Sequence, residues 1–471
     1  MPTECTLSNS ATRQRLSLSN NATLNITETV NVQHWPFLFY FADMEAAVKY
    51  IIDFLLKGNT HLATRVGYTN DETQFPNYSV VIVPSGFFNA GTYGTTASEP
   101  RLPLKEIDGT PILFGTPEIK RQGSAIVIHA DLVASAFFLL SRYEEFIHPA
   151  DNRDAHGRYL GKKSLPFRAN FINRPIVDEY GDILLKCLSD ADCKVVLPPT
   201  AYQNIYLTHD VDFLTYYRHL RGFFGGIKRN LLSPKGLCRT VKSVFSLEND
   251  PAFTFPWILE QDRKVADAQQ IYFIKSAVTQ AVADYPSYNL NRKDFKNLLQ
   301  LLKKNNCKLG LHASYNSANH LEYIKMEKAK LEQSLEMAIT ANRWHFLRTT
   351  QPSDYKELLS AGITDDFTMG YADIAGFRLG TSRAVRWINP ENLEVTNLTL
   401  HPLTAMDCTF SNQEYMNLSE SEAEEKIVGL LNQIKKHNGE VVLLWHNTVF
   451  SELDGGYHKS LYTNIIKELA R

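Results

Sequence analysis

The stretch Ile205-Tyr206-Leu207-Thr208-His209-Asp210-Val211-Asp212 decides how this chain is read. It begins as a buried strand and ends in two carboxylates. Successive strand residues point to opposite faces, so Asp210 and Asp212 share one face. Acids at the C-terminal end of an apolar strand suit an α/β active site, where one carboxylate holds a cation and the other takes a proton. An Asx-rich turn closing an ordinary strand accounts for the same residues. The stretch therefore has to be weighed with what surrounds it.

Downstream, strand-like runs alternate with amphipathic helices. Strands are expected at 205–210, 271–275, 307–312, 344–348 and 440–446. Helices are expected near 255–268 and at 293–304, 319–341, 353–361, 420–438 and 458–470. Such βα alternation argues for a parallel sheet or barrel with helices outside. Upstream, helical spacing over Met44–Leu56, buried strands at Tyr78–Pro84 and Ala125–His129, and helices over Asp131–Phe146 and Ile176–Leu188 describe a smaller α/β domain. Residues 1–30 are rich in Ser, Thr and Asn and read as loosely ordered or as an edge hairpin. Paired prolines in Val195–Thr200 mark the boundary. The division is an N-terminal accessory domain at 1–197 and a barrel domain at 198–471.

Composition excludes several classes. A chain of 471 residues exceeds what one core usually serves, which supports two domains. The 49 Lys and Arg against 51 Asp and Glu leave no global charge to mark a nucleic-acid binder. The six cysteines, at 5, 187, 193, 238, 307 and 408, form no CxxC pair, so a sulfur-ligated zinc site is not expected. Scattered thiols fit a reducing compartment. The N-terminus lacks the order of a signal peptide, and no run reaches the ~18 apolar residues of a membrane span. The expectation is a cytoplasmic protein.

One segment breaks the βα rhythm. Phe213–Leu247 carries Arg218, Arg221, Lys228, Arg229, Lys235, Arg239 and Lys242 and no acid, with Phe and Tyr interleaved. It follows the aspartate pair directly and so belongs at the mouth of any site there. It reads either as a lid that meets an anionic or lipid-linked substrate, with peripheral membrane contact, or as a solvated basic helix pair packing its aromatics inward.

Four further polar clusters lie at or near predicted strand ends. They are Gly310-Leu311-His312-Ala313-Ser314-Tyr315-Asn316, Arg343-Trp344-His345-Phe346-Leu347-Arg348, Asp365-Asp366-Phe367-Thr368-Met369-Gly370-Tyr371 with Gly376–Thr381 beyond, and Leu443-Leu444-Trp445-His446-Asn447. A lone histidine at a strand end is usually structural. Five clusters in order at the C-termini of βα strands face one crevice, and that joint pattern points to an active site.

Taken together these motifs resemble the polysaccharide deacetylases, the NodB-homology group or carbohydrate esterase family four. The resemblance covers about 205–450. It extends to a bacterial branch with an extra N-terminal domain, whose features are similar to Phe138–Glu145 and Arg174–Tyr180. It implies a distorted (β/α)7 barrel, a divalent cation, with zinc expected, and hydrolysis of an N-acetyl group on a sugar. It assigns Asp210 as general base, Asp212 and His312 as metal ligands and His446 as the acid that protonates the leaving amine. The family's second metal histidine falls at Asn316, an amide that is a weaker zinc ligand than imidazole. His320 is within chain reach. His345 reads equally as a core histidine.

The chemistry stands beside the resemblance. Amide hydrolysis needs an activated water and a polarised carbonyl, which a divalent cation supplies. Asp210 accepts the proton within hydrogen-bond reach. A carboxylate beside His446 keeps it protonated, with Asp366 the first candidate and Asp365 the second. Arg348 or Arg343 steadies the base, with Arg378 a third choice. The expected partner is an N-acetylated carbohydrate, free or linked to phosphate or lipid, and not a nucleic acid. A catalytically weak glycan-binding barrel and a formyl or cyclic-amide hydrolase are the competing readings. The metal reading requires Asp212 and His312 within about 10 Å of each other.

Overall fold

The computed structural model describes residues 37–279, 281–318, 320 and 322–471. The expectation for residues 1–30 lies outside the described residues. In the N-terminal part, β1 (Val66–Tyr68), β2 (Val80–Ile82), β3 (Lys105–Ile107), β4 (Thr110–Ile112), β5 (Gly115–Gln122) and β6 (Ala125–Ala130) make a four-stranded sheet, β1-β2-β6-β5, and the ribbon β3-β4. Three of the four sheet strands are parallel and β5 is antiparallel. Helices Phe37–Leu55 and Ile176–Asp190 pack here; the second keeps close to its expected span, while the first begins seven residues before the expected Met44.

The helix expected over 131–146 starts where the sequence says. The Asp131 carboxylate caps it by accepting from the backbone N–H of Ala134 at 2.9 Å. It stops early, at Leu140, and Arg142 adopts a left-handed φ of 58° before the short helix Tyr143–Ile147. The reason is tertiary. The buried Arg142 guanidinium pairs with Glu145, and Glu145 also accepts from Arg378, more than two hundred residues downstream. The left-handed residue costs about 1–3 kcal/mol, and it sets the Arg142 guanidinium against Glu145.

Nine strands follow: β7 (Asn204–Val211), β8 (Gln269–Lys275), β9 (Lys308–Ala313), β10 (Ala341–Trp344), β11 (Asp365–Asp366), β12 (Val385–Ile388), β13 (Val395–Leu400), β14 (Ala405–Met406) and β15 (Glu440–Leu444). Their order is β12-β13-β11-β10-β9-β8-β7-β15-β14. All neighbours are parallel except β12 against β13. The sheet curls, and the chain after β13 shows how far. The His401 N–H donates to the Asp366 carbonyl at 2.8 Å, and the Thr404 N–H donates to the Val442 carbonyl at 2.9 Å. Four residues thus carry the chain from the β11 edge to the β15 edge.

The two-residue alternation of strands sorts the side chains. Tyr206, Ile271, Phe273, Val442 and Leu444 pack together on the concave face. Leu207, Val211, Tyr272, Ile274, Leu311 and Leu443 belong to the main core on the convex face. Asp210, Lys275 and His312 are in step with the concave set. Gly310 is required on that face, because a Cβ there would come within 2.6 Å of the Phe273 ring. The strand expected over 344–348 ends at Trp344. The chain then turns through Phe346 and Leu347, whose φ values are 64° and 52°.

The Gly376–Thr381 cluster is a seat for the N-terminal part, not a member of the crevice. Phe377 N–H donates to the Ile172 carbonyl at 2.8 Å, and Gly380 accepts from Val177 N–H at 2.8 Å. Thr381 donates to Asp178 at 2.7 Å. Arg378 spends its guanidinium on Glu145 and the Gly370 carbonyl, which removes it from the candidates for steadying Asp210. Among the described residues no helix is long and apolar enough to cross a membrane.

Glu145 is therefore a keystone. Burial pushes its pKa up, but Arg142 and Arg378 outweigh that and depress it. A depressed folded pKa stabilises above the unfolded value, and the stabilisation fades as pH falls toward the folded value. Glu145→Ala leaves two buried guanidinium groups uncompensated and should cost about 3–5 kcal/mol in urea denaturation at neutral pH. A loss below about 1 kcal/mol would show that the bridge does not hold the two parts together.

Candidate active site

The register of the parallel strands builds the site. Lys275 on β8 aligns with His312 on β9, and His312 aligns with Arg343 on β10. Asp212 stands one residue past β7, and His446 two residues past β15. Asp407 follows β14, which pairs with β15. These ends meet at the C-terminal rim of the curled sheet.

Asp212 is the centre. One carboxylate oxygen lies 3.4 Å from His312 Nε2 and 3.4 Å from His345 Nε2. The ligand atoms of the three residues all lie within 4.8 Å of one another. Each imidazole is held from behind. His312 Nδ1 is 2.9 Å from the Arg343 carbonyl, an oxygen that only accepts. His345 Nδ1 is 2.9 Å from the Asp284 carboxylate, which also takes the Tyr315 N–H. Both contacts place the ring proton on Nδ1 and turn Nε2 toward Asp212. Asp212 Oδ1 and His312 Nε2 are buried without a hydrogen-bond partner, a costly state unless another group binds them.

A cation fits this donor set. Two zinc bonds of ~2.0–2.2 Å at a tetrahedral angle separate their donor atoms by about 3.3–3.6 Å, the separation found on both Asp212 edges. One carboxylate oxygen and two imidazole nitrogens are also the donor types that zinc takes. Lys275 Nζ lies 3.5 Å from the same Asp212 oxygen. Burial alone would raise the pKa of Asp212, but His345, Lys275 and His312 hold it well below the usual carboxylate range. Burial likewise works against charge on His345, and Asp212 with Asp284 overrides it upward.

Asp210 occupies a different environment. Arg343 Nη1 donates to it at 3.0 Å, and its other oxygen lies 3.6 Å from His312 Nε2. The fully buried guanidinium is itself positioned by the Phe367 carbonyl at 3.0 Å and the Phe273 ring beneath it, 4.5 Å from the centroid. Across the site, His446 Nδ1 is 2.8 Å from Asp407, which also accepts the His446 N–H at 2.7 Å. His446 Nε2 is 3.7 Å from Asp212. Burial opposes a charge on His446, but the Asp407 carboxylate raises its pKa well above the ordinary value. Asp407 is correspondingly lowered despite its burial.

The structure thus brings together Asp210, Asp212, His312, Arg343 and His446, and it departs from the sequence reading elsewhere. Asn316 opens a 3-10 turn and its amide donates to Thr279 at 3.3 Å; the third side chain on Asp212 is His345. His320 is exposed, 3.8 Å from Glu322. Asp366 is not the partner of His446. It accepts from Asn342 and Thr368 at 2.9 and 2.8 Å, while Asp365 pairs with His401. Arg348 donates to the carbonyls of His156 and Tyr315, not to Asp210. Arg378 is held by Glu145.

Lys275, Asp284 and Asp407 escaped the sequence reading. Lys275 had a usable signal, since it sits in step with Ile271 and Phe273 at a strand end. Asp407 follows a two-residue strand, and Asp284 ends a 3-10 turn, so neither had a periodic pattern to mark it. The N-terminal part also reaches the site's edge. Arg158 donates to the Phe346 carbonyl at 3.0 Å, bracing the left-handed turn just after His345.

Comparison with known proteins adds little to this geometry. Residues 37–192 match a family model described only as a family of unknown function, DUF7033. No curated protein matches. Among solved structures, the chain is similar to one described as "Crystal structure of putative polysaccharide deacetylase from Mycobacterium smegmatis". The identity is 13% over 58% of this chain and 89% of that one, with a TM-score of 0.36. A likeness at that level carries no argument about activity.

Proposed function

We propose that this protein is a metal-dependent hydrolase that removes an N-acetyl group from a sugar, free or within a glycoconjugate. The observation that carries the reading is the pair of Asp212 edges at 3.4 Å, closed by two imidazoles whose Nδ1 atoms are already engaged. In this reading the curled sheet is a distorted (β/α)7 barrel in which residues 395–406 serve as one strand, and the chain divides near residue 197. Asp212, His312 and His345 hold the cation, and zinc suits their donors. When bound, a divalent cation supplies a Lewis acid and lowers the pKa of water to about 7.

The chain's own groups do the rest. Asp210, aimed by the Arg343 guanidinium, accepts a proton from the attacking water. His446, kept protonated by Asp407, donates a proton to the nitrogen of the departing amine, a poor leaving group until then. Lys275 and Asp284 line a cleft of about 780 Å³ next to the site, together with Tyr288, Asn289 and Arg292. Hydroxyl, amide and cationic groups of this kind suit a polar sugar. The rival reading of a metal-free glycan-binding barrel rested on Asn316. His345 supplies an imidazole in its place, which favours the enzyme.

Metal analysis together with acetate release from N-acetyl sugars tests the assignment. Asp210→Asn should keep the metal and lose about 10²–10⁴-fold in turnover. Asp212→Ala and His345→Ala should lose both, whereas Asn316→Ala should keep the metal. Full metal content in His345→Ala would remove that residue from the ligand set. Full metal and rate in Asp212→Ala would overturn the site.

The acid has its own signature. The raised pKa of His446 means that its proton is present below that pKa and lost as pH rises through it. Asp407→Asn removes the cause, so the alkaline limb of kcat/KM should move to lower pH. A limb that stays in place would exclude His446 as the acid.

A further inference from the structure

The basic segment forms a helical hairpin that the proposed reaction does not use. Helices Leu220–Arg229 and Pro234–Phe245 are joined by a tip at Asn230-Leu231-Leu232-Ser233. The base is firmly anchored. Asp250 accepts from the N–H groups of Tyr216 and Tyr217 at 2.8 and 2.9 Å, and Asn447 donates to the Phe213 carbonyl at 2.9 Å. Arg218 pairs with Asp294 at 2.9 Å. The rest projects, and its apolar side chains face outward. Leu232 is 99% exposed, Phe245 84% and Leu220 80%, with Phe224 and Leu231 at 65% each.

These residues are patterned. Leu220, Phe224 and Ile227 fall at i, i+4 and i+7, one stripe of the first helix, and Leu231 and Leu232 follow in the tip. Cations flank the stripe: Arg221, Lys228, Arg229, Lys235 and Lys242 have no ion pair among the described residues. Leu220, Phe223, Val241, Val244 and Phe245 also line a groove of about 580 Å³ between the hairpin and the start of helix Lys293–Lys304. Monomeric proteins rarely leave apolar patches of this kind uncovered.

We infer that this hairpin docks on an anionic lipid bilayer, with Leu231, Leu232 and the apolar stripe entering the acyl boundary and the lysines and arginines against lipid phosphates. Helices with Lys and Arg on one face and Leu and Phe on the other lie in that interface. Uncompensated cations complement its negative surface. A second copy of this chain is disfavoured as the occupant, because two such faces would oppose cation to cation. A nucleic acid offers nothing to bury a dileucine tip. The hairpin leaves β7 directly after Asp212, so docking would hold the mouth of the candidate site at the membrane surface.

Co-sedimentation of the full chain with phosphatidylcholine vesicles, with and without phosphatidylglycerol, tests this independently of any activity. The protein should pellet with the anionic vesicles and be released by high salt. Leu231→Ser with Leu232→Ser should weaken binding at least about tenfold while leaving the circular dichroism unchanged, since both side chains are exposed. Lys228→Glu with Lys242→Glu should weaken it as well. Failure to pellet with either vesicle, or binding insensitive to both pairs of changes, overturns the inference. A dimer in light scattering that the leucine changes abolish, without vesicle binding, would assign the face to a second copy.

Discussion

A buried carboxylate is costly unless polar or cationic groups gather around it, and at Asp212 four nitrogen-bearing side chains do. Lys275, His312, His345 and His446 all bring a nitrogen within 3.7 Å of it, two from strands and two from the segments that follow strands. No two of these neighbours are adjacent in sequence. The arrangement therefore depends on strand register: slipping β9 by one residue against β8 would send His312 to the convex face. The curled parallel sheet is the device that keeps these nitrogens on one target, and each is then fixed from behind by a carbonyl or a carboxylate.

The same logic of outer support separates the two carboxylates. Asp210 is engaged by a guanidinium that is locked between the Phe273 ring and the Phe367 carbonyl. Asp212 faces imidazoles with unpartnered nitrogen and oxygen between them. One aspartate is thus suited to exchange a proton and the other to hold a cation, although they stand only two residues apart at the end of β7. His446 completes the set because Asp407 raises its pKa against its burial.

The N-terminal part contributes to this geometry at a distance. Arg142, Glu145 and Arg378 form a buried charge cluster between the two parts, and Asp178 gathers Thr381, Ser382 and Arg383. Arg158 and the His156 carbonyl grip the turn that follows His345. Breaking such buried pairs is costly. The tight seat explains why so much of the 362–381 region, which looks like a catalytic cluster in sequence, is spent on holding the chain together.

Asp210, Asp212, His312 and His446 were legible because strand alternation and strand ends are local properties. The long periodic helices, such as Lys293–Lys304 and Glu420–Lys436, were legible for the same reason. The strands of two residues at Asp365–Asp366 and Ala405–Met406 were not, since a period cannot be read from two positions. Which carboxylate reaches His446, whether His345 or Asn316 turns toward Asp212, and which arginine finds Asp210 were all decided in three dimensions. Each is a choice between side chains of similar chemistry, and only the register of distant strands and the left-handed turn at Phe346 put one of them within reach. Sequence by itself set the alternation of apolar and ionisable residues; the curl of the sheet decided which of those residues share a neighbour.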